Sequence, residues 1–321
     1  MQRPFVVDPV LTAIAIGYRN PSSSYIADAV SPRVSVAGET FKWMHYPLEE
    51  SFNVPDGRVG RRGQVQQLEF GGEEREASVE DFGFDVPIPN SDIEAAKRAR
   101  AQKLSNFDPE AHAVQSIADT LLNVREVRVA RQFQTAANFA SGRKITLSGS
   151  SQLSHVDSDP IGVIKAGMDA TLVFRPTDLA MGRAVWSKLS SHPKIVNAVK
   201  GGTTTSGMVT LEQFLELFAG EGLKRIHIGD AWYNTAKPGQ AVSLSRAWGK
   251  HMTLFHQNPV ANAEGGGVTF ALTAALGSKV AGRIEDPDIG LQGGFRIRNG
   301  ERVKELLPAP DVGYFIENAV A

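Results

Sequence analysis

Residues 53–79, NVPDGRVGRRGQVQQLEFGGEEREASV, constrain this chain more than any other stretch. They are too polar and too rich in glycine to fill a core, yet strand patterns flank them. Upstream, in ETFKWMHYP, Phe41 and Trp43 alternate with Thr40, Lys42 and Met44. Downstream, in EDFGFDVPIP, Phe82, Phe84, Val86 and Ile88 keep a strict period of two. That alternation argues for strands with one buried face. Two such strands around this segment predict a long projecting β-hairpin, which is marginal in water without a neighbour. Charge is divided along it. Arg58, Arg61 and Arg62 cluster, whereas Glu69, Glu73, Glu74, Glu76, Glu80, Asp81 and Asp85 accompany one base, Arg75. A solvated loop of mixed charge and complementary ends meeting across subunits are both open readings.

The stretch before it poses the same problem. In YIADAVSPRVSVAGETFKWMHYP, residues 25–47, Val30, Val34 and Val36 have strand or polyproline character. Pro32 interrupts them, so a central strand is not expected. Upstream, GYRNPSSSY is turn chemistry. Such a segment either frays or finds its partner on another surface.

Helices follow. SDIEAAKRARAQKL carries a capping-box pattern, Ser91 with Glu94, and a basic set, Lys97, Arg98, Arg100 and Lys103. The next helix starts at Asp108 as N-cap with Pro109 at its first position. Val114, Ile117, Leu121 and Val124 recur at helical spacing, with Leu122, Val129 and Phe133 on an adjoining stripe. Nothing breaks this pattern to about residue 139, roughly 45 Å of helix. The stripe holds for barely two heptads, which argues against a coiled coil.

From residue 157 the texture becomes mixed α/β. A short helix follows Asp159-Pro160, TLVF (171–174) reads as a buried strand, and a helix is expected from Thr177 with Leu179, Val185 and Leu189 inward. A second capping box, Thr210 with Gln213, opens a helix that stops at Gly220. LKRIHIGDAWYNT and HMTLFHQNP read as strands, and the remainder is β-rich, ending on VGYFIENAV.

The chemistry is sparse. With no cysteine, disulfides, thiolate catalysis and cysteine-ligated zinc are excluded. A net charge of −1 does not describe a polyelectrolyte built to grip nucleic acid. No apolar run approaches the roughly 18 residues of a membrane span, and Pro4, Asp8 and Pro9 break any signal-peptide core, so an intracellular, reducing origin is expected. The best metal candidate, His155 with Asp157 and Asp159, is better explained by Asp159 serving as a helix cap. His251 and His256 are five apart on an expected strand, on opposite faces. His227 lacks an adjacent nucleophile motif. EGGGV (264–268) lacks a P-loop ending, and Pro287 makes DPDIG a turn. No catalytic residue, cofactor or metal site is expected.

The order of parts, arm, projecting hairpin, long helix, compact α/β unit and terminal strand, resembles the major capsid proteins of tailed bacteriophages, the Hong Kong 97-type fold. YIADAVSPRVSVAGETFKW looks like the arm of such proteins, and DVGYFIENAV like their last strand. The resemblance implies an α+β fold with an N-arm (1–38) lying on a neighbour and an extended loop (39–90). A peripheral domain (91–156) would carry a spine helix at about 108–139, followed by an axial domain (157–258). A β-rich return (259–321) would pass through the peripheral domain, its last strand a candidate for the axial domain. It implies inter-subunit contact through Val30, Val34, Val36, Phe41, Trp43, Arg58, Arg61, Arg62, Glu73, Glu74 and Glu76. The partners implied are further copies in hexamers and pentamers, a separate scaffolding protein, a portal protein, decoration proteins, and packaged DNA held by weak non-specific contact. No membrane partner is implied, and the location is the virion, assembled in the host bacterial cytoplasm. The alternatives are an encapsulin-like compartment and, in another class, an enzyme with a dispersed metal-assisted or acid–base site.

Overall fold

The computed structural model describes residues 19–45, 52, 54–65, 67, 73–237, 239–259 and 267–321. Residues 1–18 of the expected arm, Glu69 of the acidic run and residues 264–266 of the glycine stretch lie outside the described residues.

Two five-stranded sheets and one long helix organise the chain. The first sheet has β1 (Arg33–Val36), β11 (Leu272–Leu276), β13 (Gly294–Leu306) and β12 (Val280–Asp286) in that order, with β4 (Glu80–Pro89) on the other side of β13. β13 is the hub: it runs antiparallel to β4 from Gly294↔Pro89 to Val303↔Glu80. The second sheet has the order β5 (Lys144–Thr146), β14 (Gly313–Glu317), β10 (Met252–Phe255), β6 (Asp178–Gly182), β7 (Arg225–Gly229). Two small ribbons stand apart, β2 (Thr40–His45) with β3 (Glu73–Ser78), and β8 (Trp232–Asn234) with β9 (Leu244–Arg246).

The helices are α1 (Ala27–Val30), α2 (Asn90–Ala101), α3 (Pro109–Phe133), α4 (Pro160–Ala170), α5 (Arg183–Leu189), α6 (Pro193–Val199) and α7 (Leu211–Ala219). α3, the spine helix, begins as its sequence requires: the Asp108 side chain accepts from the amides of Glu110 and Ala111, and Pro109 follows. It ends at Phe133, short of residue 139, and a separate 3₁₀ turn covers Ala136–Asn138. Its first half lays Ala113, Ile117 and Leu121 against Ile88, Ile93 and Ile297 of the first sheet and α2. Its last turns enter an aromatic junction. There the Phe133 ring meets those of Phe255 and Phe270 edge-on at 5.2 Å, while Phe139 stacks on Phe315 at 5.1 Å. One rod thus ties both sheets together. The second sheet closes its own core with α4–α7, through Ile164, Val185, Phe214, Phe218 and Leu254.

Several expectations are corrected. β2 pairs with β3, not with the strand at 80–89, because β4 is taken up by β13. Residues 171–174 form an exposed irregular loop with Val173 at φ 64°, not a strand. Residues 178–182 are a strand buried throughout, and the helix expected from Thr177 starts at Arg183. α2 starts at Asn90, so Ser91 is inside the helix and no Ser91–Glu94 box forms. On α3, Val114 is exposed and Val124 half-buried; the buried line runs 117, 121, 125, 129, 133. The capping box at Thr210 and Gln213 is present as expected.

The arm is corrected too. Val30 is fully buried (0% exposed) among Val129, Phe133 and Phe270 of its own chain, and β1 pairs in parallel with β11. Ile26, Ala27 and Val30 belong to the core of their own chain, so Val30 has no surface to offer a neighbour. Pro32 leaves β1 at the sheet edge, where the loss of one ladder donor is tolerated.

Candidate assembly interface

The β2–β3 ribbon is amphipathic across its two faces. Phe41 stands opposite Ala77 and Trp43 opposite Arg75, and the two rings stack 5.9 Å apart. On the other face Lys42 is opposite Glu76 and ion-pairs with Glu74. That contact raises the Lys42 pKa. The ribbon pairs with no other strand among the described residues; Phe41 and Trp43 are each half-buried, and the Trp43 indole N–H is shielded from solvent yet finds no acceptor. A two-stranded ribbon is only marginally stable by itself in water.

Its base is tethered. Val79 donates its amide to Glu39 O at 2.9 Å. Arg302, on β13, reaches Glu39 at 3.2 Å and Asp81 at 3.6 Å. Its far end carries Val54 (96% exposed), Val59 and Val65 beside exposed Arg58, Arg61 and Arg62. Arg58 lies 3.9 Å from Asp56, while Arg61 and Arg62 have no acidic partner among the described residues.

The acidic run is less available than its sequence implies. Glu73 pairs with Arg75, Glu74 with Lys42, Glu80 with Lys304, and Asp85 makes a bidentate pair with Arg298 at 2.7 and 2.8 Å. The Arg298 hydrogen bond holds the Asp85 carboxyl below the usual range. Glu76 is held most loosely, 3.9 Å from Lys42. Val34 and Val36 sit half-buried on β1, the outer strand of its sheet.

The structure places each of the histidine and carboxylate candidates. His155 and Asp157 are 3.8 Å apart at the surface, and Asp159 stands at the N-cap of α4 without a side-chain cap bond. No group able to hold a metal ion occurs among the described residues. His227 bonds to the fully buried Asp178 at 2.8 Å, and Arg225 pairs with the same carboxylate at 2.7 Å. Burial would raise the Asp178 pKa, but His227, Thr177 and Arg225 outweigh it and hold the carboxyl low. This knot ties β6 to β7. His251 and His256 flank β10, both with pKa values lowered by burial. No described helix is long and apolar enough to cross a membrane.

Two charged residues escape a reading of the sequence. Arg125 and Glu126 are each 1% exposed, in the middle of α3. The signal was an interruption: Arg125 occupies the position at which the line from Ile117 and Leu121 to Val129 and Phe133 should be apolar.

Comparison with known proteins places this geometry. No family model matches the chain. It is 42% identical over 318 residues to the major capsid protein of Pseudomonas phage JBD67, covering 99% of this chain and 98% of that one. A crystal structure of a phage-related protein from Bordetella bronchiseptica RB50 superposes with a TM-score of 0.68 at 22% identity, covering 99% of both chains. The capsid of cyanophage P-SCSP1u superposes with a TM-score of 0.59 at 11% identity over 94% of this chain and 89% of that one. The fold is of the Hong Kong 97 type, and this chain belongs to the family of phage major capsid proteins.

Proposed function

We propose that this capsid protein closes an icosahedral head by offering each neighbour the layer its own chain does not supply. The β2–β3 ribbon supports that reading: a two-stranded element with a stacked aromatic pair, Phe41 and Trp43, only half-buried, and no further strand beside it among the described residues. Covering the part of these rings that is still exposed contributes about 25 cal/mol per Å² before ordering costs. The ribbon and the segment 54–65 are the extended loop, reaching an adjacent subunit, while Arg61 and Arg62 meet acidic surface there and Glu73, Glu74 and Glu76 line the ribbon's charged face. Val34 and Val36 on β1 contact a neighbour at the sheet edge. The first sheet with α2 and α3 acts as a peripheral domain. The second sheet with α4–α7, including β14, acts as an axial domain around the axis of hexamers and pentamers.

On this reading the shell encloses double-stranded DNA, touched weakly and without sequence preference. It is assembled in the host cytoplasm with a separate scaffolding protein and a portal, and it can take decoration proteins on its outside. The whole-length match to a phage capsid protein favours a genome container over an encapsulin-like compartment. The role is structural, with no catalytic step assigned to any residue.

The test is Phe41→Ser with Trp43→Ser, followed by gel filtration and negative-stain electron microscopy. The double variant should remain folded and stop at small oligomers or capsomers. Particles of normal size and yield would remove the ribbon from the interface.

A further inference from the structure

Consecutive residues of the spine helix grip the two ends of α1. Glu126 accepts from the amides of Ile26 and Ala27, each at 2.9 Å, and from the Trp248 indole at 2.6 Å. Arg125 donates to Ser31 O at 3.0 Å and lies 2.8 Å from Asp28. α1 is a single turn of four residues whose N-cap, Ile26, offers no side-chain bond. A turn this short does not persist unaided, and its end groups need partners. Both sets of partners come from α3, an anion at the N-terminus and a cation at the C-terminus, each the favourable sign.

The surroundings are crowded with charge. Arg33 pairs with Asp28 at 3.0 Å and with Glu301 at 2.7 Å. Arg128 pairs with Glu305 at 2.8 Å and lies 3.8 Å from Glu301. Yet Arg125 Nε and Nη1 are buried and find no acceptor among the described residues. A buried ion cluster with unmatched donors is a costly fastening, and apolar side chains of similar volume often hold as well or better. What charge adds is an all-or-none response: removing one partner leaves the other buried and uncompensated.

We propose that Arg125 and Glu126 form a lock holding residues 26–31 on the spine helix, and that opening it redirects the chain upstream without unfolding the two sheets. Ile26, Ala27 and Val30 pack on the cluster of Phe133, Phe139, Phe255, Phe270 and Phe315, whose rings also contact one another directly. The course of the arm and the state of the spine helix thereby become one coupled variable. The consequence for assembly rests on the reading that the upstream chain meets a neighbouring copy; the lock itself is a property of one chain.

The experiment is hydrogen–deuterium exchange on the full, unassembled chain carrying Glu126→Gln. One acceptor then becomes a donor facing donors. Exchange at residues 26–31 should rise at least about tenfold, while residues 252–255 and 313–317 keep wild-type protection. Asp28→Asn, which removes the carboxylate facing Arg125 from an exposed position, is read in the same way should Glu126→Gln not fold. Unchanged exchange at 26–31, or a rise shared equally by both sheets, would overturn the lock. Particle yield from the same variants separately reads whether the arm acts on a neighbour.

Discussion

The second sheet and the β2–β3 ribbon answer the same problem in opposite ways. In the sheet, β6 and β10 are buried along their whole length, and helices close the core. The ribbon has two strands, an almost wholly exposed β3, only half-buried rings on its apolar face and no further strand beside it among the described residues. One region is finished within the chain; on our proposal, a neighbour finishes the other. A subunit that must fold alone and then join a shell needs both, since the finished part supplies stability and the unfinished part supplies valence.

The sharpest way to break this contrast is to wound each region in turn. Leu254→Ala, in the closed core, should cost about 2–5 kcal/mol of unfolding free energy in denaturant titrations. The Phe41→Ser/Trp43→Ser pair should change the same midpoint little in the unassembled chain and yet abolish particles. If the ribbon variant unfolds as badly as the core variant, the distinction between the regions fails.

The spine helix offers the same contrast on its two faces. Leu121→Ala should cost about 2–5 kcal/mol, whereas Val124→Ala should stay within about 0.5 kcal/mol. Equal effects would mean that the helix is turned differently about its axis.

Acid sharpens the account of the second sheet. The depressed Asp178 carboxyl contributes stability that is fully present above the ordinary carboxylate pKa of about 4 and is lost as pH falls through its lower folded value. His251 and His256, lowered by burial, add a milder loss that begins as pH falls below about 6.5. Asp178→Asn should cost about 1–3 kcal/mol at neutral pH, since Arg225 is half-exposed and partly solvated, and should flatten the dependence below pH of about 4. A variant whose acid profile matches the wild type would clear the Asp178–His227–Arg225 knot of any role.

How far the sequence reveals these regions depends on whether local pattern and tertiary role coincide. Period-two alternation located β4, and capping chemistry located the starts of α3 and α7. β3 was invisible as a strand because EEREAS has no apolar alternation; its register is set by charges facing Lys42. β6 read as helix because a strand buried on both faces loses the period-two signal. Residues 171–174 showed the converse, an apolar run too short to decide between a strand and an exposed loop. The contact residues were legible only as segments that could not form a core. That logic carries the proposal for Phe41 and Trp43 and failed for Val30, because α1 is fastened by Arg125 and Glu126, which lie far away in the chain.

The smallest expected effect belongs to the loop's basic cluster. Arg61→Glu with Arg62→Glu should weaken particles by about 0–1 kcal/mol per contact, more visibly at low salt than at high salt. Because Glu73, Glu74, Glu80 and Asp85 already have bases in their own chain, the acceptor surface must lie largely elsewhere on the neighbour. Particles of unchanged heat stability at low salt would leave the aromatic face as the loop's whole contribution.

The central claim is that the ribbon is completed by a neighbour, and amide exchange before and after assembly measures it most directly. Residues 40–45 and 73–78 should exchange quickly in the unassembled chain and become protected in particles, while residues 178–182 and 252–255 are protected equally in both. A ribbon already as protected as the second sheet before assembly, or no slower to exchange within particles, would contradict the account.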